Sequence, residues 1–256
     1  MWYLIKSYFK FLKTASNQHG VHSPFVYSFV TKCLYDKNRY SDYALLKNYR
    51  DQLLASDEVI EVTDFGAGSR VFKSNTRAVK DIAKHAGAGL RRMKLLYRVV
   101  VYFKPKSALE IGTSVGLATA GLALPKSGDL KTLEGCPETS KIAQKHLLQS
   151  NLSNAQVLIG DFKKTLPQAA KKNYDLIYFD GNHSKKATLK YFEQLLPTVH
   201  TDSVWIFDDI YWSAEMTEAW EKIKKHPAVR VTVDCFWLGF VFFRTEQVEE
   251  HFKIRL

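Results

Sequence analysis

The stretch ALEIGTSVGLA, residues 108–118, decides the fold. A short apolar run carries an acid, Glu110, near its end. It then passes through Gly112 and Gly116 into residues that favour a helix. This is the strand–turn–helix with which an open α/β sheet brings backbone N–H groups up to a nucleotide-like ligand. EVTDFGAGSR, residues 61–70, has the same look. Spacing separates the two, because the next strand, about 20 residues on, must end in an acid for the ribose hydroxyls. Twenty residues after Asp64 stands Lys84, inside a helical pattern with no closing acid. After Glu110, the next strand, LKTLEG, ends in Glu134. The ligand turn is therefore expected at 112–116. Residues 64–70 are left as a lid or acceptor-side loop, with Arg70 for an anionic group, or as a plain connector between helices.

Outward from this turn the pattern is regular. SALEI, LKTLEG, AQVLIG, YDLIYFD and SVWIFDD are short apolar runs, each followed by an amphipathic stretch. That alternation predicts a parallel sheet with helices on both faces and right-handed crossovers. VRVTVDCF and GFVFFR are too close for a helix between them, so they read as a hairpin that finishes the sheet with an antiparallel strand. Residues 1–104 read as mostly helical, with Ser23 as an N-cap and Pro24 at the first helical position of one helix. SNTRAVKDIAKHAGAG and LRRMKLLYRVVVYFKP read as two more helices. The expected organisation is a helical lid and substrate region, 1–104, and a ligand-binding α/β domain, 105–256.

Bulk properties bound the reading. At 256 residues, 46% hydrophobic and 25% charged, the chain fits one α/β domain with an appendage. No apolar run approaches the ~20 residues of a membrane span. Cys33, Cys136 and Cys235 fit neither a CxxC pair nor a zinc site and read as reduced thiols of a cytoplasmic protein. The +11 charge favours an anionic partner, yet the basic residues are spread along the chain and no RNA-binding signature appears, so the excess reads as solubilising. MWYLIKSYFKFLKTAS, residues 1–16, is interrupted by lysines and is not a signal peptide. Lys6, Lys10 and Lys13 form one helical stripe; Trp2, Ile5, Phe9 and Leu12 form another. The helix is either a peripheral membrane contact or docks on its own domain or on a homodimer mate.

The turn itself restricts the ligand. Ser114 stands where a dinucleotide site wants its middle glycine, and no GK[ST] follows, which excludes a Walker loop. Over about residues 95–244 the chain resembles the class I S-adenosylmethionine (SAM) methyltransferases. ALEIGTSVGLATAGLA is similar to their first motif, LKTLEGCPETSKIAQKHL to the second strand and its helix, and VLIGDFKKTLP to the adenine-side motif. YDLIYFDGNHSKKATLKYFEQLLP followed by SVWIFDDI resembles the catechol-type and macrolide-type O-methyltransferase branch. The resemblance implies a Rossmann-like, seven-stranded, mostly parallel sheet with an antiparallel C-terminal hairpin strand. It implies SAM as cofactor and a small-molecule hydroxyl as methyl acceptor. Gly112 and Gly116 would line the methionine part, Glu134 would take the ribose hydroxyls, and Asp161 the adenine amino group with Phe162 beside the ring. Glu110, Thr113, Ser114, Gly135 and Asp180 complete the implied cofactor set. The branch often places a hydroxyl two residues past the last glycine; here that residue is Ala118, with Thr119 next to it.

Asp180 ends the fourth strand of this pattern, and Asp208 and Asp209 end the fifth. Neighbouring strands lie ~4.8 Å apart, so three carboxylates would repel unless a cation or protons intervene. Oxygen-only ligands suit Mg²⁺ or Ca²⁺; the resemblance implies Mg²⁺ binding the acceptor oxygen and favouring its deprotonated form, and the other reading is that these acids cap helices or bind a lysine. His183, three residues after Asp180, is placed as general base for the hydroxyl, or as a loop histidine stacking on a ligand. Tyr211 and Trp212 either wall the acceptor pocket or belong to the core, while His19 and His22 read as turn-stabilising. Two other functions stay open: methylation of RNA or a membrane lipid, and a non-catalytic SAM-binding module.

Overall fold

The structure, a computed structural model, describes residues 2–63 and 74–256. Residues 64–70, with Arg70, lie outside the described residues. The first half of the chain forms α1 (Trp2–Thr14), α2 (Pro24–Phe29), α3 (Tyr43–Leu54), β1 (Val59–Glu61), β2 (Thr76–Ala78), α4 (Val79–His85) and α5 (Leu90–Phe103). Next come β3 (Ser107–Ile111), α6 (Leu117–Ala123), β4 (Asp129–Glu134), α7 (Pro137–Gln149), β5 (Ala155–Ile159) and α8 (Phe162–Ala169). The last third forms β6 (Leu176–Phe179), α9 (Lys185–Leu195), β7 (Val204–Asp208), α10 (Ala214–Lys224), β8 (Val231–Asp234), β9 (Leu238–Phe242) and β10 (Glu250–Lys253). The mostly parallel sheet has eight strands, not seven. Its elements fall into two compact units.

One unit is Lys37–Ala169. Its strands β3, β4 and β5 are parallel, with Ser107 opposite Asp129 and Leu130 opposite Ala155. Ala108, Leu109 and Ile111 are buried, while every residue of α6 is buried too, which its small side chains permit. α3 buries Leu46, Tyr49 and Leu53, the i, i+3, i+7 face of an amphipathic helix. The helix expected to begin at Ser74 begins instead at Val79. Thr76–Ala78 pairs antiparallel with Val59–Glu61, a three-residue ladder too short to show a period in sequence.

The other unit joins Met1–Asp36 to Ala170–Leu256. β6 and β7 are wholly buried and parallel, with Phe179 opposite Phe207. The expected hairpin is present: β9 lies antiparallel between β7 and β8. The sheet does not finish there, because β10 adds to β8 in parallel and buries Phe252. Ser23 caps α2 as expected, its hydroxyl accepting from Val26 N at 3.4 Å, and α2 runs into a π-helical turn, Val30–Leu34. Phe25 and Phe29 pack on Phe242 and Phe240 of β9 at 4.9 and 5.1 Å between ring centres. These rings tie the start of the chain to its last strands. Asn17 caps the short helical turn Gln18–Gly20 by accepting from His19 N at 3.0 Å. The three cysteines are free and buried. Among the described residues, no helix is long and apolar enough to cross a membrane.

Candidate cofactor turn and acid–histidine pair

The glycine turn is held in a shape that most side chains resist. Gly112, Ser114 and Gly116 all have positive φ, at 103°, 50° and 83°. Gly112 N and Thr113 N both donate to Leu133 O, fastening the turn to the end of β4. Glu134 finishes the fastening: its Oε2 accepts from Ser114 N at 2.7 Å and its Oε1 from Cys136 N at 2.9 Å. Burial pushes the Glu134 carboxyl up, opposed by these N–H donors together with the Gly135 N–H and the Thr139 hydroxyl. The turn, with one carboxylate beside it and no lysine or arginine within 110–118 to hold phosphates, suits an adenosyl ligand.

Two of the expected contacts turn out to stand behind the turn. Glu110 is fully buried, and its Oε2 accepts the hydroxyls of Thr119 and Thr132 at 2.5 Å each. Thr113 is buried as well, with its hydroxyl 2.5 Å from that of Thr132. Glu110 thus supports the turn from the core side, and Thr113 offers a ligand only its backbone. Thr119 spends its hydroxyl on Glu110, so it does not replace the hydroxyl missing at Ala118. Asp161 caps α8 through Lys163 N at 2.9 Å, and both Asp161 and Phe162 are half-exposed.

Burial, opposed by the two threonine hydroxyls and helped by the nearby Glu134 charge, pushes the Glu110 carboxyl up to about 7. Between its ordinary 4.5 and 7 the folded chain holds a proton that the unfolded chain has released. Stability from this group is therefore complete below pH 4.5 and lost as pH rises through 7. The shift amounts to about 3 kcal/mol. Glu110→Gln cannot ionise. Urea unfolding at pH 5 and pH 8 should show the variant gaining on the wild type by up to about that amount at the higher pH. A wild-type-minus-variant difference that does not move between the two pH values would refute the assignment.

In the other unit, β6 and β7 end in register, so Asp180 and Asp208 follow at the same strand ends. Asn182, at φ 53°, turns the chain after Asp180, and Ser184 caps α9 by accepting from Ala187 N. His183 Nε2 lies 3.6 Å from Asp180 Oδ1, and its ring centre is 6.4 Å from that of Trp212. Asp209 takes φ 50° and donates its N–H to Trp237 O. The expected Mg²⁺ site does not fit this arrangement: among the described residues, no group of three or more His, Cys, Asp or Glu side chains is placed to hold a metal ion. Tyr211 belongs to the core. It is buried, its hydroxyl donates to Asp234 at 2.7 Å, and its ring stacks on Phe236 at 4.8 Å. Trp212 is the half-exposed member of the pair.

The residues the sequence did not single out are the supporting ones. Tyr49, 66 positions before Val115, donates its hydroxyl to Val115 O at 3.2 Å. Thr132 and Cys136 reach the turn from the second strand and its exit. None carries a spacing signal, because each acts through a fold contact.

Residues 109–210 match the family model described as a methyltransferase domain. The segment with the glycine turn and the acid–histidine pair is thus similar to a methyltransferase domain. A catechol O-methyltransferase from Niastella koreensis is 30% identical over 123 residues, 46% of this chain. The match spans 55% of that relative's length. An O-methyltransferase from Bacillus cereus, solved with S-adenosylhomocysteine (SAH), superposes with a TM-score of 0.53 at 19% identity, over 83% of this chain and 98% of that one. The SAH-bound methyltransferase PaMTH1 of Podospora anserina gives 0.61 at 12% identity, over 88% and 97%. At such identities the likeness is one of fold, a Rossmann-like α/β fold. The matched segment, 109–210, contains Gly112, Glu134, Asp161, Asp180, His183 and Asp208.

Proposed function

We propose that the chain transfers a methyl group from SAM to a hydroxyl oxygen of a small molecule. The observation that carries this reading is the methyltransferase-domain match over 109–210, which contains both the pinned glycine turn and the Asp180–His183 pair. The match to a catechol O-methyltransferase supports oxygen as the acceptor.

SAM, when bound, supplies an activated sulfonium methyl that is displaced in line by the acceptor oxygen. The chain's task is then positioning and proton removal. The backbone of 112–116 lines the methionine part, Glu134 accepts from the ribose hydroxyls, and Asp161 accepts from the adenine amino group. His183 takes the hydroxyl proton. Asp180 Oδ1 lies 3.6 Å from its Nε2 and orients the ring. Trp212 flanks that histidine and offers a face to an aromatic acceptor.

The test has two readings. Titration calorimetry should show SAM binding to the wild type, and incubation with catechol-type acceptors should release SAH. Asp180→Ala should keep the binding and lose at least about tenfold in turnover. A protein that neither binds SAM nor releases SAH would end the proposal. Undiminished turnover in Asp180→Ala would end the assigned role of that residue.

A further inference from the structure

Helix α1 docks through a face other than the one its sequence favours. Its one buried residue is Phe11. Phe11 and Tyr8 meet the ring of Phe236 at 5.5 and 4.8 Å, and Phe11 meets Tyr211 at 6.3 Å. Both ends of the helix are fastened as well. Tyr3 donates its hydroxyl to Thr217 at 2.8 Å; past the other end, Ser16 N donates to Lys253 O and Ser16 O accepts from Arg255 N. The helix is thus held along its length, and what it leaves outside is left by construction.

What it leaves outside is the apolar stripe read from the sequence. Trp2 is 78% exposed, Phe9 62% and Ile5 43%. At 100° per residue these three share the half of the helix opposite Phe11 with Lys6, Lys10 and Lys13, all exposed. No acidic residue occurs in Trp2–Thr14. Burying large apolar side chains is the strongest local driving force available, so a fastened helix that turns them outward has a second surface to meet.

We propose that α1 seats the protein on an anionic phospholipid surface. Trp2, Ile5 and Phe9 enter the boundary between headgroups and acyl chains, and Lys6, Lys10 and Lys13 pair with lipid phosphates. The mixture selects this occupant. A helix of about 20 Å lying in the interface, with an aromatic and aliphatic edge beside a basic one, is the geometry of interfacial anchors. A second copy of the chain on a two-fold axis would bring the same lysines against each other. Trp237, exposed and 4.9 Å from Phe236, belongs to the ring cluster that carries the helix. This proposal stands apart from the methyl-transfer reading.

Cosedimentation of the full chain tests it. The wild type should bind vesicles of phosphatidylcholine with phosphatidylserine and leave phosphatidylcholine alone, and binding should fall as salt rises. W2S/I5S/F9S and, separately, K6E/K10E/K13E should each lower binding at least about tenfold. Both variants should keep the wild-type near-UV circular dichroism and melting temperature, because the substituted side chains face away from the protein. No binding to the anionic vesicles, or equal binding by the variants, would overturn the proposal. So would a dimer that W2S/I5S/F9S dissolves in the absence of lipid, or a preference for single-stranded RNA over vesicles that the same variants lose.

Discussion

Replacing His183 with alanine should lower turnover by about 100- to 10,000-fold, the range a positioned general base contributes, and leave SAM affinity nearly unchanged. The first half follows from the role proposed for His183. A neutral hydroxyl is a poor nucleophile toward the sulfonium methyl, and the imidazole, with Asp180 3.6 Å behind it, is placed to take its proton. The second half follows from where the expected cofactor ligands stand: the backbone of 112–116 and Glu134 lie in the other unit and do not depend on His183 for their geometry. The split distinguishes chemistry from folding, because a structural histidine would move both. Turnover within a few-fold of wild type would remove the histidine from the mechanism.

Gly116→Ala should damage the cofactor turn more than any other single methyl. At φ 83° a side chain costs roughly 1–2 kcal/mol in backbone strain. A Cβ would also lie 2.5 Å from Tyr49 Oη. Tyr49 cannot swing aside, since it is buried and its hydroxyl is bonded to Val115 O. Together these costs should reach about 2–4 kcal/mol, read as a lowered urea midpoint, with SAM affinity lowered alongside. Tyr49→Phe removes the clashing oxygen. The double variant should therefore recover the packing part of the loss and keep the backbone part. If it is no better than Gly116→Ala alone, the tyrosine is not the obstacle.

Much of this architecture is legible in the chain because it is written locally. The choice of 112–116 over 64–70 rests on one acid, Glu134, at the end of the next strand, and Glu134 does grip the turn at Ser114. The hairpin of β8 and β9 follows from two β-rich runs with no room between them. β10 escaped notice because it is an edge strand four residues long with three charged or titratable residues, and only the alternation of Phe252 and Ile254 marks its buried side. The docking face of α1 escaped for a different reason. Periodicity shows that an apolar stripe exists; it does not show that the stripe faces inward, and here the single residue Phe11 does that work. Glu110 sits where a cofactor ligand was expected, but two threonines from β4 and α6 turn it into a core group, and that depends on which strands become neighbours.

The buried thiols have a practical consequence. Cys136 belongs to Lys37–Ala169, whereas Cys33 and Cys235 belong to the unit formed by the two ends of the chain. Burial also pushes the Cys235 thiol up, which keeps it in its unreactive form. An alkylating reagent therefore reaches each thiol only when the structure around it opens. Pulsed alkylation followed by peptide mass spectrometry would time the opening of the two units separately, in the unaltered protein, with cysteines it already carries.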